Sequence, residues 1–117
     1  MNERRANPRI RTYHPLRLHR PGVPQMVETL TKDVSAGGIR CLSSTLFPVS
    51  TEVQVELVLM NGEEPLTARG QTRWFRMIAN SDQFDIGISF LYFSPQNERR
   101  LSVYLDLLSK RSAQALV

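Results

Sequence analysis

Cysteine is nearly absent: Cys41 stands alone. That excludes an internal disulfide and leaves no zinc-ligating pattern, so a reducing cytoplasm is the expected compartment. Long apolar runs are absent too. None approaches the roughly 20 residues that cross a bilayer as a helix. No apolar stretch follows the charges of Met1-Asn2-Glu3-Arg4-Arg5, so neither a membrane span nor a signal peptide is expected. There is no internal repeat and no low-complexity segment. His14 and His19 flank Pro15 with no third ligand nearby, which argues against a metal site. No Ser, Cys or His is arranged as a nucleophile beside a base, so the chain is expected not to be an enzyme and to need no cofactor. Asp82 and Asp85 read as solvated acids of a hairpin turn. Cys41 alternates with apolar residues and reads as buried and inert.

Lysine is missing from the first 31 residues, yet that stretch is basic. The chain has 117 residues, the size of one domain, and a net charge of +4. Residues 1–40 hold eight basic groups against three acidic ones, and the rest of the chain carries a net −1. Such asymmetry suits an anionic partner, whether nucleic acid, nucleotide or membrane surface; a solubilising tail is the alternative. Arg4, Arg5, Arg9 and Arg11 crowd a segment broken by Pro8 and Pro15. Arginine differs from lysine in having a flat, five-donor fork. It matches phosphate oxygens and the guanine edge, and it stacks on a base. An all-arginine arm therefore suits a ligand that is both planar and phosphorylated.

Residues 1–13 read as an irregular, flexible arm. Six runs of strand character follow: PLRLHR, QMVETLTKDV, GGIRCLSS, EVQVELVLM, LTARGQTRWFRMI and QFDIGISFLYF. In the second run, Val27, Thr29, Thr31 and Asp33 fall on one side by alternation. In the third, Ile39, Cys41 and Ser43 share a face. In the fourth, Val53, Val55, Leu57 and Leu59 do. Breakers separate the runs, with Asn61-Gly62 expected as a hairpin turn. Many short strands at close spacing predict an antiparallel barrel or sandwich. Ser94 as cap, Pro95 in the first turn and Leu101, Tyr104, Leu105 and Leu108 at helical spacing predict one amphipathic helix of about 15 residues. It is expected to cover an open end or edge of the barrel. The domain limits drawn from this are an arm over 1–13, a barrel with its helix over 14–110 and a frayed tail over 111–117.

A second polar constellation is KDVSAGGIR. Asp33 and Ser35 lie two apart and face the same way on a strand, and Gly37-Gly38 lets the backbone turn or come close to a ligand. An ionised carboxylate accepts two hydrogen bonds from the N–H edge of guanine, with a serine hydroxyl beside it. The alternative is a hairpin in which Asp33 and Ser35 cap the turn.

Arg5-x-x-x-Arg9 on an N-terminal arm, followed by Asp33-x-Ser35-x-x-Gly38 between early strands, resembles the PilZ domain family. The likeness extends from about residue 3 to about residue 110, through ARGQTRWFR and the final strand and helix. The family implies a six-stranded antiparallel barrel and a receptor for the bacterial second messenger cyclic di-GMP. By the resemblance, Arg5 and Arg9 would hold phosphates and guanine edges. Asp33 and Ser35 would read a guanine, and Gly38 would allow close approach. Trp74 would offer an aromatic near the base, or else sit in the core. Arg73 and Arg76 would face away from it unless a bulge brings one round. Arg4, ahead of the motif, is the position at which arginine accompanies binding of a stacked ligand pair in the family. Arg4, Arg5, Arg9, Asp33, Ser35 and Gly38 are thus the candidate ligand-binding residues, with Arg11, Gly37 and Trp74 behind them. The expected protein is a stand-alone receptor whose arm closes on cyclic di-GMP and passes the signal to an unidentified downstream protein, with no nucleic acid bound. The rivals are a nucleotide-free PilZ-like adaptor and a small barrel for single-stranded nucleic acid, though the aromatics lie away from the arginines.

Overall fold

The computed structural model describes residues 10–60 and 62–115. Its strands are β1 (Ile10–Arg11), β2 (Pro15–His19), β3 (Met26–Val34), β4 (Gly38–Ser43), β5 (Glu52–Leu57), β6 (Leu66–Met77) and β7 (Phe84–Tyr92), followed by one helix, α1 (Pro95–Ala115). Every one of the six expected runs became a strand, because each alternates and is bounded by residues that turn the chain.

The six strands β2 to β7 close into an antiparallel barrel. β2 pairs with β3, β3 with β4, β4 with β7, β7 with β6, β6 with β5, and β5 returns to β2. Closure leaves no long unpaired edge. Alternation decides what fills the interior. Leu16 and Leu18, Ile39 and Cys41, Val53, Val55 and Leu57, Leu66 and Ala68, and Ile86 and Ile88 are all buried. Ser43 joins them, as expected of its face.

Two expectations about the chain ends differ from the structure. Within the stretch expected as an irregular arm, Ile10–Arg11 pair with Val34 and Asp33, so β1 continues the line of β2 along β3. Thr31 anchors the link between them. Its hydroxyl accepts the His14 amide (2.9 Å) and donates to the Thr12 carbonyl (2.7 Å), and its own amide donates to the His14 carbonyl. At the other end, α1 has 21 residues and runs through 111–115, which were expected to fray. Residues 116–117 lie outside the described residues.

Ser94 caps α1 as expected, its hydroxyl accepting the Asn97 amide at 3.2 Å. Leu101 is buried in the barrel core, with Tyr104 and Leu105 packed at its margin. Asn97 and Arg100 donate to the carbonyls of Thr67 and Glu64, at the mouth where β6 begins. The helix therefore closes that end of the barrel. The β5–β6 connection spans residues 58–65, longer than the two-residue turn expected at Asn61-Gly62. Gly62 has φ +85°, a left-handed position that suits glycine, and Asn61 lies outside the described residues.

Candidate functional site

β3 carries the candidate carboxylate, and a bulge decides where it points. Simple alternation puts Asp33 with Val27 and Thr31, the inward set. The pairing of β3 with β4 shifts register between Thr31 and Asp33, however. Thr31 stays buried and Val34 turns inward, so Asp33 faces the outside of the barrel, partly exposed. Its partner across the ladder is Arg40, which alternation on β4 also sends outward between buried Ile39 and Cys41.

The β3–β4 turn divides the capping alternative. Ser35 does cap. Its hydroxyl accepts the amides of Gly37 and Gly38 at 3.2 Å each and reaches the Gly38 carbonyl at 3.3 Å. It is buried there. The Asp33 carboxylate instead faces Arg40, with Oδ2 at 3.8 Å from Nη1. Gly38 is needed for a reason other than a ligand: a Cβ on it would lie 2.2 Å from the Ile88 carbonyl oxygen of β7. Gly37 is exposed on the turn.

Strand register carries the row further. Arg40 pairs with Gly87 of β7, and Gly87 with Trp74 of β6. Asp33, Arg40, Gly87 and Trp74 thus form one line across four strands on the barrel exterior. Trp74 is neither a core residue nor fully open. It is 36% exposed, and its indole covers Gly87, where a Cβ would come within 2.2 Å of Nε1. A bulge between Thr72 and Trp74 does occur. Arg76 was expected to face away from Trp74, but it lies two residues on, past the bulge, so alternation puts it on the same face, and it pairs with Asp85.

Asp85 corrects the reading of a solvated turn acid. Asp82 is exposed, but Asp85 lies within β7 and is 1% exposed. Burial of a carboxylate is tolerated only with compensation. Two arginines supply it: Arg76 Nη2 donates to Oδ2 at 2.8 Å, and Arg40 Nε lies 3.4 Å from Oδ1. Arg40, Arg76 and Asp85 were missed as a group because their meeting depends on register. The available signal was an Asp inside an alternating run. Cys41 sits beneath them. Burial and the Asp85 charge push its thiol up to about 12, so it is inert at neutral pH.

His14 is buried at the foot of the arm, with Nε2 3.0 Å from the Thr12 hydroxyl and 3.1 Å from that of Tyr104. Burial lowers its pKa against a smaller raising effect from a backbone hydrogen bond to Val58. Arg4, Arg5 and Arg9 lie outside the described residues, and of Arg11 only the backbone is described.

Fold and face together define a small closed antiparallel barrel with a helical plug and a charged exterior row that ends in an indole. The chain belongs to the PilZ domain family, whose model matches residues 3–107. No curated protein matches it. Among solved structures it is similar to the Bacillus subtilis inhibitor of motility MotI/DgrA (TM-score 0.77, 15% identity), covering 97% of this chain and 53% of that one. It is similar to the PilZ domain of Escherichia coli YcgR with c-di-GMP (0.72, 18%), covering 97% and 98%. It is likewise similar to the K. pneumonia MrkH–c-di-GMP complex (0.70, 20%), covering 97% and 56%. The chain spans about half the length of the first and third. Among the described residues no helix is long and apolar enough to cross a membrane.

Proposed function

We propose that this chain is a receptor for cyclic di-GMP and acts by binding rather than by catalysis. The YcgR domain and MrkH structures contain that dinucleotide. One observation of this chain supports the same ligand: β1 pairs Arg11 with Asp33 and Ile10 with Val34. The arm therefore departs from the barrel beside the candidate guanine-reading carboxylate. Chain continuity keeps Arg9 within one Cα step, about 3.8 Å, of Ile10.

In this reading Asp33 accepts the N1–H and exocyclic amine of one guanine. Ser35 shapes the turn beside it, and Trp74 lines the far end of the row. Arg4, Arg5 and Arg9 close over the ligand and engage phosphates and base edges. Closure alters the exposed surface and so the choice of a downstream protein. Arg4 adds a guanidinium for a stacked ligand pair, giving two molecules per chain.

Calorimetric titration tests it, with cyclic di-GMP, cyclic di-AMP and single-stranded DNA compared at one salt concentration. Cyclic di-GMP should bind. Cyclic di-AMP should bind poorly, since adenine has an acceptor where guanine has N1–H. Asp33→Ala should weaken cyclic di-GMP by about tenfold to a hundredfold, the worth of hydrogen bonds to a charged group. Equal binding of the two dinucleotides, or tighter binding of DNA, would sink the proposal.

A further inference from the structure

A carboxylate that reads two donors on one base edge must be held in the plane of that edge, because a bidentate contact fails when either oxygen turns away. Asp33 is on the rigid wall, but its side chain has two rotatable bonds. What stands beside it is Arg40, directly opposite on β4, with Nη1 3.8 Å from Oδ2. That separation is short enough for strong attraction and too long for a hydrogen bond, so it does not occupy that oxygen's lone pairs in a short contact. A solvent-exposed arginine would not hold a fixed position, since its long stem loses entropy on ordering. Arg40 differs: its Nε is buried and lies 3.4 Å from Oδ1 of the fully buried Asp85. Asp85 is in turn fixed by Arg76 at 2.8 Å. Carboxylates and guanidiniums alternate along this chain of four groups, on β3, β4, β7 and β6.

On the cyclic di-GMP reading above, we infer that Arg40 is a positioning residue for Asp33, set in place by the buried Asp85 and braced through it by Arg76. Removing Arg40 takes away the guanidinium of β4 that faces both Asp33 on β3 and Asp85 on β7, and with it a group that orients the Asp33 carboxylate. The base edge then loses its reader, although nothing that touches the ligand's phosphates has changed.

The test uses cyclic di-GMP and cyclic di-IMP, whose hypoxanthine lacks the exocyclic amine. Both are titrated into the whole chain, with thermal melting as the check on folding. Wild type should prefer cyclic di-GMP. Arg40→Ala should weaken cyclic di-GMP by about tenfold, one charged hydrogen bond's worth, and bring the two ligands closer in affinity. In an Asp33→Ala background, Arg40→Ala should change nothing further, since the two act as one unit. A general structural role or a direct phosphate contact would weaken both ligands alike and would add to Asp33→Ala. Either result overturns the inference while leaving the receptor reading intact. Should Arg40→Ala melt below the assay temperature, Arg76→Gln carries the same test, because Arg76 holds Asp85 at 2.8 Å and Asp85 in turn faces Arg40. An unchanged preference in that variant also overturns the inference. A wild type that binds no cyclic di-GMP overturns the receptor reading and this role with it.

Discussion

At Gly38 the backbone of β4 passes so close to β7 that no side chain fits. The atom a Cβ would meet is the Ile88 carbonyl, part of a paired strand that cannot yield cheaply. Gly38→Ala should therefore cost about 1–3 kcal/mol, the range for overpacking, and thermal denaturation should show it without any ligand present. An unchanged melting temperature would return Gly38 to a purely ligand-facing role. His14 gives a pH test. Its pKa is lowered in the folded state, so as pH falls the unfolded chain takes up the proton first, near the ordinary value of 6.5. The contribution is complete above that value and is lost as pH falls through the window below it. Melting temperatures of wild type should fall more between pH 7.0 and 5.5 than those of His14→Gln. Parallel slopes would mean that the ring titrates normally in the fold.

At the scale of elements, β1 changes what the arm has to do. The Thr12 amide already donates to the Lys32 carbonyl, and Ile10–Arg11 already pair with β3. On the receptor reading, closure over a ligand would act on residues 4–9, at about 1–2 kcal/mol of backbone entropy for each residue it orders. Amide exchange should slow across 4–9 when cyclic di-GMP saturates the protein, while 10–12 serve as an internal reference and change little. Protection of 4–9 in ligand-free protein would remove arm closure as the switch. The helix is the other element within reach of such a signal, because Tyr104 of α1 and Thr12 at the foot of the arm meet at the same nitrogen of His14.

At the scale of the whole molecule, the question is how much negative charge the face can accept. Cyclic di-GMP carries two charges, and a stacked pair carries four. The barrel row of Asp33, Arg40, Asp85 and Arg76 is neutral in sum. On the receptor reading, compensation would then fall to Arg4, Arg5, Arg9 and Arg11, in the third of the chain that holds the positive surplus. Titration should saturate near two ligands per chain, and Arg4→Leu should move it toward one. Affinity should drop as salt rises, since several charged contacts form together. Saturation of wild type at one, unchanged in Arg4→Leu, would leave Arg4 an ordinary solvated charge.

Alternation along each run was enough to determine six strands, the inward set Ile39, Cys41, Val53, Val55 and Leu57, and a capped helix that buries Leu101. Each of those follows from neighbours within one turn or one pleat, which is information carried locally. The turn that Ser35 caps was also legible, because its residues are contiguous. Tertiary structure alone decided which way Asp33 faces and which residues stand beside it. A bulge after Thr31 reversed its side, and antiparallel pairing set residues 33, 40, 87 and 74 in one line. Alternation states only the side of a strand on which a residue lies. Register between strands states its neighbours, and register is set by the closure of the whole barrel, which is why Asp85 read as a turn acid and proved to be a buried charge held by two arginines.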